Sequence, residues 1–365
     1  MLHVIKIAEG EKNGSERLNR VLIAALSGQE YIWLEQPEQF ERWCAQPLAG
    51  RKGTAFLFAL SLPAGGVSLA YAGWLTALIA HPDCLEGCVG AVIVDGDSEL
   101  FTKKMGRELI FIANSAGCSF PGKPLVEATG SLANFNILAQ VQGLDNLASY
   151  QKSAVALVAK LLAFNPCPRP LGTQPHILVV HASIRQTSNT LLLWNLVRQN
   201  LAGRAGVEEV SLRNGAVVDC RGCTYEACLH FGETGRCFYG GVIVDEVYPA
   251  IKRCDSLMLL CPNYNDAVSA NLTAFINRLT ALYRQDFSSF ASKKVFALVV
   301  SGYSGGDIVA EQILDALNCN KNFILPGHFA LIETANAPQS ILKCRDIEKS
   351  AQAMAERLLG QGGPF

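Results

Sequence analysis

Short apolar runs alternate with longer amphipathic runs from one end of this chain to the other. In the front half the short runs are HVIKIA, EYIWLE, TAFLFALSL, VGAVIVDG and PLVEATG. In the back half they are HILVVHA, VEEVSL, SLMLLCP, KVFALVVSG and FALIETA. Their length and their β-branched and aromatic content mark them as strands. The back-half strands are separated or followed by NTLLLWNLVRQNL, IVDEVYPAIKRC, SANLTAFINRLTALYR, DIVAEQILDALNC and CRDIEKSAQAMAERLLG, whose apolar spacing is helical. The front half has one clear helix of this kind, VSLAYAGWLTALIA, and only a weak one after EYIWLE. Strand and helix in strict alternation predict a parallel sheet covered on both faces. Right-handed crossovers then wind each half into a five-stranded α/β sandwich.

The stretch FNPCPRPLGTQP, residues 164–175, carries four prolines and a glycine and reads as a connector. It predicts one domain over residues 1–165, a linker over 166–174 and a second domain over 175–365. Two echoes point to a tandem duplication. GGVSLAYAGWLTAL from Gly65 matches DAVSANLTAFINRL from Asp266, and PGKPLVE from Pro121 matches PGHFALIE from Pro326. Residues 53–82 carry no formal charge and are long enough for a bilayer, but PAGG divides them into a strand and a helix. No membrane span is expected.

Composition narrows the partners. Half of the 365 residues are hydrophobic and the formal net charge is −1, so nothing steers the chain toward nucleic acid. The 13 cysteines are odd in number and no signal peptide precedes them, which predicts free thiols in a reducing compartment, the cytoplasm. No Ser/His/Asp set or HExxH helix is present, and SGYSGG lacks the Gly-x-Ser-x-Gly pattern of a hydrolase elbow.

Candidate chemistry lies at the strand ends. HASIRQTSNT, residues 181–190, turns a strand straight into a helix. A helix N-terminus presents unpaired N–H groups and a positive dipole end to an anion. Ser183, Ser188, Asn189 and Thr190 add polar side chains and Arg185 adds charge. A plain helix cap would use the same hydroxyls. PNYNDAVSA after SLMLLC offers Pro262, Asn263, Tyr264 and Asn265, suited to the face and edge of a flat ring. The third loop, with Ser301, Gly302, Tyr303 and Gly305, lets backbone amides come close. Ligands of open α/β sheets sit at this edge.

These residues carry a family resemblance. HASIRQTSNT resembles the phosphate loop of the flavodoxin-like NADPH-dependent FMN reductases. CPNYNDAVSANLTAFINRL resembles their Pro-x-Tyr motif and following helix, with Asn277-Arg278 standing for Asp-Arg. Ala182 replaces the usual glycine, and Gly240-Gly241 stands where an acidic pair is common. The resemblance implies two tandem flavodoxin-like domains, FMN on the second, and an NAD(P)H oxidoreductase. Its phosphate would lie on Ser183, Arg185, Ser188, Asn189 and Thr190, and its ring between the second and third loops. NAD(P)H would be co-substrate, and a small molecule or protein would accept the electrons. The first half would complete a pseudo-dimer within one chain, with a homo-oligomer as the other arrangement.

Aligning Lys12 with Arg185 places Glu9, Glu11 and Glu16 on or beside the matching front-half loop. A like charge at about 4 Å from a phosphate costs ~4 kcal/mol at an effective dielectric near 20. This half is therefore expected to keep the scaffold and hold no flavin. Cys220, Cys223, Cys228 and Cys237 crowd into eighteen residues. The stretch resembles the cysteine motif of iron–sulfur flavoproteins, with a wider second gap. The readings here are an iron–sulfur cluster of the [4Fe–4S] kind, a zinc ion, or metal-free thiols with Cys220 and Cys223 as a redox pair. A cluster would make the chain an electron carrier, and a lost flavin site would make it a sensor or docking module. His181 could meet the phosphate or pack, and His230 is an alternative metal ligand. The remaining cysteines read as small core residues.

Overall fold

The computed structural model describes residues 1–9, 15–166, 174–183, 187–213, 215 and 217–361, the side chains of Leu48 and Ala49 excepted. The predicted linker falls mostly outside them. The chain separates into two compact units: Met1–Pro166 with Pro326–His328, and Cys167–Leu325 with Phe329–Phe365.

Unit 1 contains β1 (Leu2–Ile7), α1 (Glu16–Ala25), β2 (Tyr31–Leu34), α2 (Pro37–Cys44), α3 (Leu48–Arg51), β3 (Ala55–Leu62), α4 (Leu69–Ala80), β4 (Val89–Gly96), α5 (Thr102–Ser115), β5 (Leu125–Ala128), α6 (Asn136–Gln142) and α7 (Asn146–Ala163). Its five strands pair in the order β2-β1-β3-β4-β5, all parallel. All ten predicted strands of the chain appear at the expected places. The central strands β3 and β4 are buried and apolar except for Ser61 and Asp95 near their C-terminal ends, because both faces are covered, whereas the edge strand β2 is mostly exposed. The uncharged stretch becomes β3 and α4, and no helix among the described residues is long and apolar enough to cross a membrane. The helix read as weak after β2 does form: Pro37 starts α2, and Gln36 and Gln39 close a reciprocal cap around its first turn.

Unit 2 contains β6 (His176–His181), α8 (Asn189–Leu201), β7 (Gly206–Ser211), α9 (Tyr225–Glu233), α10 (Tyr248–Arg253), β8 (Ser256–Pro262), α11 (Ala270–Gln285), α12 (Phe287–Phe290), β9 (Lys294–Ser301), α13 (Gly306–Ile313), β10 (Ala330–Thr334) and α14 (Ile347–Leu358). Its sheet runs β10-β9-β8-β6-β7, again all parallel. Counted from its own first strand, each unit has the order 2-1-3-4-5, so both are flavodoxin-like doubly wound domains. On one face of the second sheet, Val179, Met258, Phe296 and Leu331 pack against Trp194, Val197, Ala351 and Met354 of α8 and α14. That packing fixes where α8 begins, and with it one wall of the candidate site.

Candidate functional site

In this strand order the connections after the first and third strands leave toward opposite faces, and a crevice opens between them at the C-terminal edge. In unit 2 that is the edge of β6 and β8. The second and third predicted loops meet there through one side chain. Asn263 Nδ2 lies 3.1 Å from Asp266 Oδ1, from Ser301 Oγ and from the Ser304 carbonyl, and its backbone N–H donates to Val300 at 2.9 Å. Its Oδ1 is buried and without a hydrogen-bond donor. Ser301 is 1 % exposed. Pro262 ends β8 half-buried, and Gly302 approaches Asn336. Asn265 and Asp266 both hold φ near 54°, a left-handed turn that short polar side chains tolerate.

Gly305 shows why this loop is glycine-rich. Its φ is 87°, and a Cβ there would lie 2.0 Å from Asp266 Oδ1. Gln312 of α13 braces the same turn, donating to the Asp266 carbonyl at 2.9 Å and accepting from Val268 N–H at 3.1 Å. Asp266, inside the second motif, and Gln312, in no motif, were not singled out as site residues, because only the fold brings Gln312 and Gly305 onto the Asp266 turn. Tyr264 and Tyr303 are exposed on the rim, at 62 % and 78 %.

The first loop departs from expectation in one respect. Asn189 opens α8, but its Nδ2 donates to the carbonyls of Ala335 and Ala337 at 2.9 Å, and its Oδ1 accepts from Ile341 N–H at 3.4 Å. It clamps the segment after β10 to the start of α8, so its side chain does not point out as a phosphate donor. Thr190 is buried and Ser183 half-buried. Arg185 lies outside the described residues. His181 is buried, and burial pushes its pKa below 6.5 against a weaker opposing pull from Glu209 and a hydrogen bond to the Ser183 backbone. The ring is neutral at pH 7 and supplies no positive charge to a phosphate.

The helix starts separate the two units most clearly. In unit 1 the N-cap serines bond to their own helices: Ser15 Oγ accepts from Leu18 N–H at 3.0 Å, and Ser68 Oγ from Tyr71 N–H at 3.1 Å. Their counterparts in unit 2, Ser188 of α8 and Ser269 of α11, make no side-chain cap. Ser269 Oγ is buried and has no partner. Two helices thus begin at one edge with their first-turn N–H groups not taken by a cap, beside an unpartnered hydroxyl and an unpartnered amide oxygen. Buried polar groups of this kind call for a ligand, and a phosphate with a hydrogen-bonding ring fits the set.

In unit 1 the chain fills the same edge itself. Ser15 N–H donates to Ser61 Oγ at 3.1 Å and Ser15 Oγ to Asp95 Oδ1 at 2.7 Å. Asp95, with no exposed side-chain surface, is paired to Arg17 at 2.9 Å. The Arg17 guanidinium also donates to the carbonyls of Gly96 and Gly130. The Glu9 carboxylate accepts from Leu69 N–H at the start of α4. Phe101 packs so closely on Gly66 that a Cβ there would meet its ring at 2.5 Å. Of the acids the alignment placed on that loop, Glu9 instead accepts at the start of α4, and Asp95 of β4, which the alignment had not singled out, is paired with Arg17. Glu16 instead is exposed and faces Arg20 at 3.7 Å. Glu11 and Lys12 lie outside the described residues.

The cysteine cluster does not assemble. Cys220 and Cys223 are exposed, and Cys228 and Cys237 half-buried. Among the described residues, no three His, Cys, Asp or Glu side chains are grouped to hold a metal. Cys228 lies on α9, with Cys220 and Cys223 before that helix and Cys237 after it. The expected iron–sulfur or zinc site is therefore not supported, for His230 no more than for the thiols. Arg278, the Asp-Arg counterpart, is buried and tethers this segment to α11 through the carbonyls of Val218 at 2.9 Å and Gly240 at 2.6 Å.

Residues 175–337 match the family model of the NADPH-dependent FMN reductases. No curated protein sequence matches the chain. Among solved structures, the chain is similar to the NAD(P)H:quinone oxidoreductase from Methanothermobacter marburgensis, with TM-score 0.40 and 15% identity, covering 51% of this chain and 98% of that one. It is similar to RosB with a bound riboflavin-phosphate intermediate, with TM-score 0.41 and 16% identity, covering 51% and 79%. A third likeness is to an FMN-dependent NADH-azoreductase from Bacillus anthracis in complex with FMN, with TM-score 0.38 and 11% identity, covering 51% and 100%.

Proposed function

We propose that unit 2, whose residues 175–337 match the family model of the NADPH-dependent FMN reductases, holds FMN at the β6/β8 edge and that the chain works as an NAD(P)H-dependent flavin oxidoreductase. The phosphate is held by the first N–H groups of α8, Ser183, Ser188 and Thr190, with Arg185 as its cation. A dianion on a helix N-terminus is favoured by about 1 kcal/mol from the dipole alone, before the hydroxyl bonds are added. The ring lies between Pro262–Asn265 and Ser301–Gly305. Bound FMN supplies two-electron chemistry between a nicotinamide and a small-molecule or protein acceptor.

The chain's own residues position and polarise. Asn263 fixes the two ring loops against each other and turns its free Oδ1 to a ring N–H. Ser269 and the α11 N-terminus add donors where negative charge develops on reduction. Gly305 and Asp266 hold the turn, and Asn189 keeps the segment after β10 on the rim. No protein acid or base is assigned, because hydride transfer needs none. Unit 1 holds no flavin, its edge being filled by Asp95, Arg17 and Glu9.

The observation that carries this reading is the pair of uncapped serines, Ser188 and Ser269, at one edge, against their capped counterparts Ser15 and Ser68. The test is anaerobic titration of the FMN-loaded chain with NADPH and then NADH. Loss of flavin absorbance by a stoichiometric amount of either is expected. A chain that takes up no FMN, or whose flavin neither nucleotide bleaches, overturns it.

A further inference from the structure

One helix joins the two ring loops of unit 2. Helix α13 begins at Gly306, directly after the third loop, and carries Gln312 back to the second. The Gln312 amide uses both of its ends there. Its Nε2 donates to the Asp266 carbonyl at 2.9 Å, and its Oε1 accepts from Val268 N–H at 3.1 Å. At the start of the same helix, Gly305 has no Cβ to displace Asp266 Oδ1. The turn between these supports is a strained one. Asn265 and Asp266 both have left-handed backbone, which L-residues disfavour, and the turn's own closure is the bond from Ala267 N–H to the Tyr264 carbonyl at 3.2 Å. Val268, pinned by Gln312, is followed at once by Ser269, whose Oγ is buried and unpartnered, and by the uncapped start of α11. The direction of that hydroxyl and of those first-turn N–H groups is thus set from α13.

Unit 1 supplies the contrast. Glu108 stands as far into α5 as Gln312 stands into α13. Its Oε2 accepts from the Tyr71 hydroxyl of α4 at 3.0 Å, so this position ties helix to helix. The serine that starts α4 already caps its own helix. The unit whose edge is filled by its own side chains spends this position on packing, and the unit with the open edge spends it on a ring loop.

We propose that Gln312 is a positioning residue that makes unit 2 bind reduced FMN in preference to oxidised FMN, a role that rests on the FMN reading of this edge. By fixing Asp266 and Val268 it holds Ser269 and the α11 N-terminus toward the ring loop. Donors held in place act on negative charge without having to reorganise. Hydrogen bonds to a charged acceptor are stronger than those to a neutral one. The oxidised ring is neutral and the reduced ring carries negative charge, so the same donors favour the reduced form.

Two substitutions separate this role from a general loosening of the loop. Gln312→Met keeps the side-chain length and loses both hydrogen bonds. Gln312→Glu keeps an acceptor for Val268 N–H and sets a carboxylate oxygen against the Asp266 carbonyl. In each, the donors lose their fixed direction, and the reduced form loses more than the oxidised form. The difference should be about tenfold in dissociation constant, roughly the worth of one hydrogen bond to a charged group. For a two-electron couple, that tenfold difference lowers the midpoint potential of the bound flavin by about 30 mV.

The test titrates oxidised FMN, and separately dithionite-reduced FMN under argon, onto the full chain of the wild type and both variants. The potential of the FMN-loaded chains is measured independently by equilibration with a reference dye. The expected result is a larger rise in the dissociation constant of reduced FMN than of oxidised FMN in both variants, with the matching fall in potential. Should Gln312→Met fail to fold, Gln312→Glu, which retains the Val268 bond, carries the same comparison. Equal losses of affinity in the two redox states, or an unchanged potential, overturn the proposal and leave the FMN site standing. A lower melting temperature of the apo chain with no change in potential gives Gln312 a part in folding alone and overturns it as well. A wild-type chain that takes up neither form of FMN sinks the flavin reading and this role together.

Discussion

Replacing Gly305 with alanine tests the geometry of the flavin site at its tightest point. The native φ of 87° costs an L-residue about 1–2 kcal/mol. The added Cβ would also lie 2.0 Å from Asp266 Oδ1, so Asp266 must move and its contact with Asn263 Nδ2 at 3.1 Å is lost. A lost hydrogen bond of this kind is worth about 1 kcal/mol. If FMN binds only to the native turn, the variant meets both costs on binding. Together they come to about 2–3 kcal/mol, or a dissociation constant raised about 30- to 150-fold. Quenching of FMN fluorescence by the apo chain measures this directly. Asp266→Ala alone loses only the hydrogen bond. Gly305→Ala with Asp266→Ala removes the clash, so the two changes fall short of additivity by about 1 kcal/mol. An unchanged affinity in Gly305→Ala, with far-UV circular dichroism intact, would falsify the placement of the ring at this turn.

Three other outcomes follow from the structure. Asp95→Ala leaves Arg17 beside the Gly96 and Gly130 carbonyls with its charge unpaired, and breaking such a buried pair costs about 3–5 kcal/mol. Three of the four tryptophans, Trp33, Trp43 and Trp74, lie in unit 1, so fluorescence-monitored urea unfolding reads that loss, and a shift under about 1 kcal/mol would place the pair among exposed ones. The loaded chain should carry one FMN, by absorbance against amino-acid analysis; two would contradict the filled edge of unit 1. Because burial lowers the His181 pKa, the folded state resists protonation that the unfolded chain accepts at 6.5. Stability from His181 is present above pH 6.5 and lost as pH falls below it, and His181→Gln should flatten that acid limb in thermal melts. A limb equally steep in the variant would assign it elsewhere.

Asn189→Ala removes three hydrogen bonds that join the start of α8 to the segment after β10. The cost should be about 1–3 kcal/mol, read as a lower melting temperature of the apo chain with weaker FMN binding. Weaker binding at an unchanged melting temperature would return Asn189 to the direct phosphate contacts predicted for it.

The sequence by itself determined the ten strands, their parallel pairing and the edge at which the candidate site lies. Apolar periodicity and strand-to-helix turns are local properties, and a short uncharged strand has nowhere to go but a sheet covered on both faces. Likewise, the serines at 188 and 269 were visible as helix starts. What remained hidden was direction and partnership. Asn189 turns away from the phosphate position because carbonyls about 150 residues downstream compete for its amide. Asp266, Gln312 and the Arg17–Asp95 pair take their roles from neighbours brought in by the crossovers. Four cysteines close in sequence form no metal-holding group among the described residues, with one of them on α9 and the others on either side of it. Spacing along a chain fixes which face a side chain occupies; only the closed fold decides which donor or thiol stands opposite it.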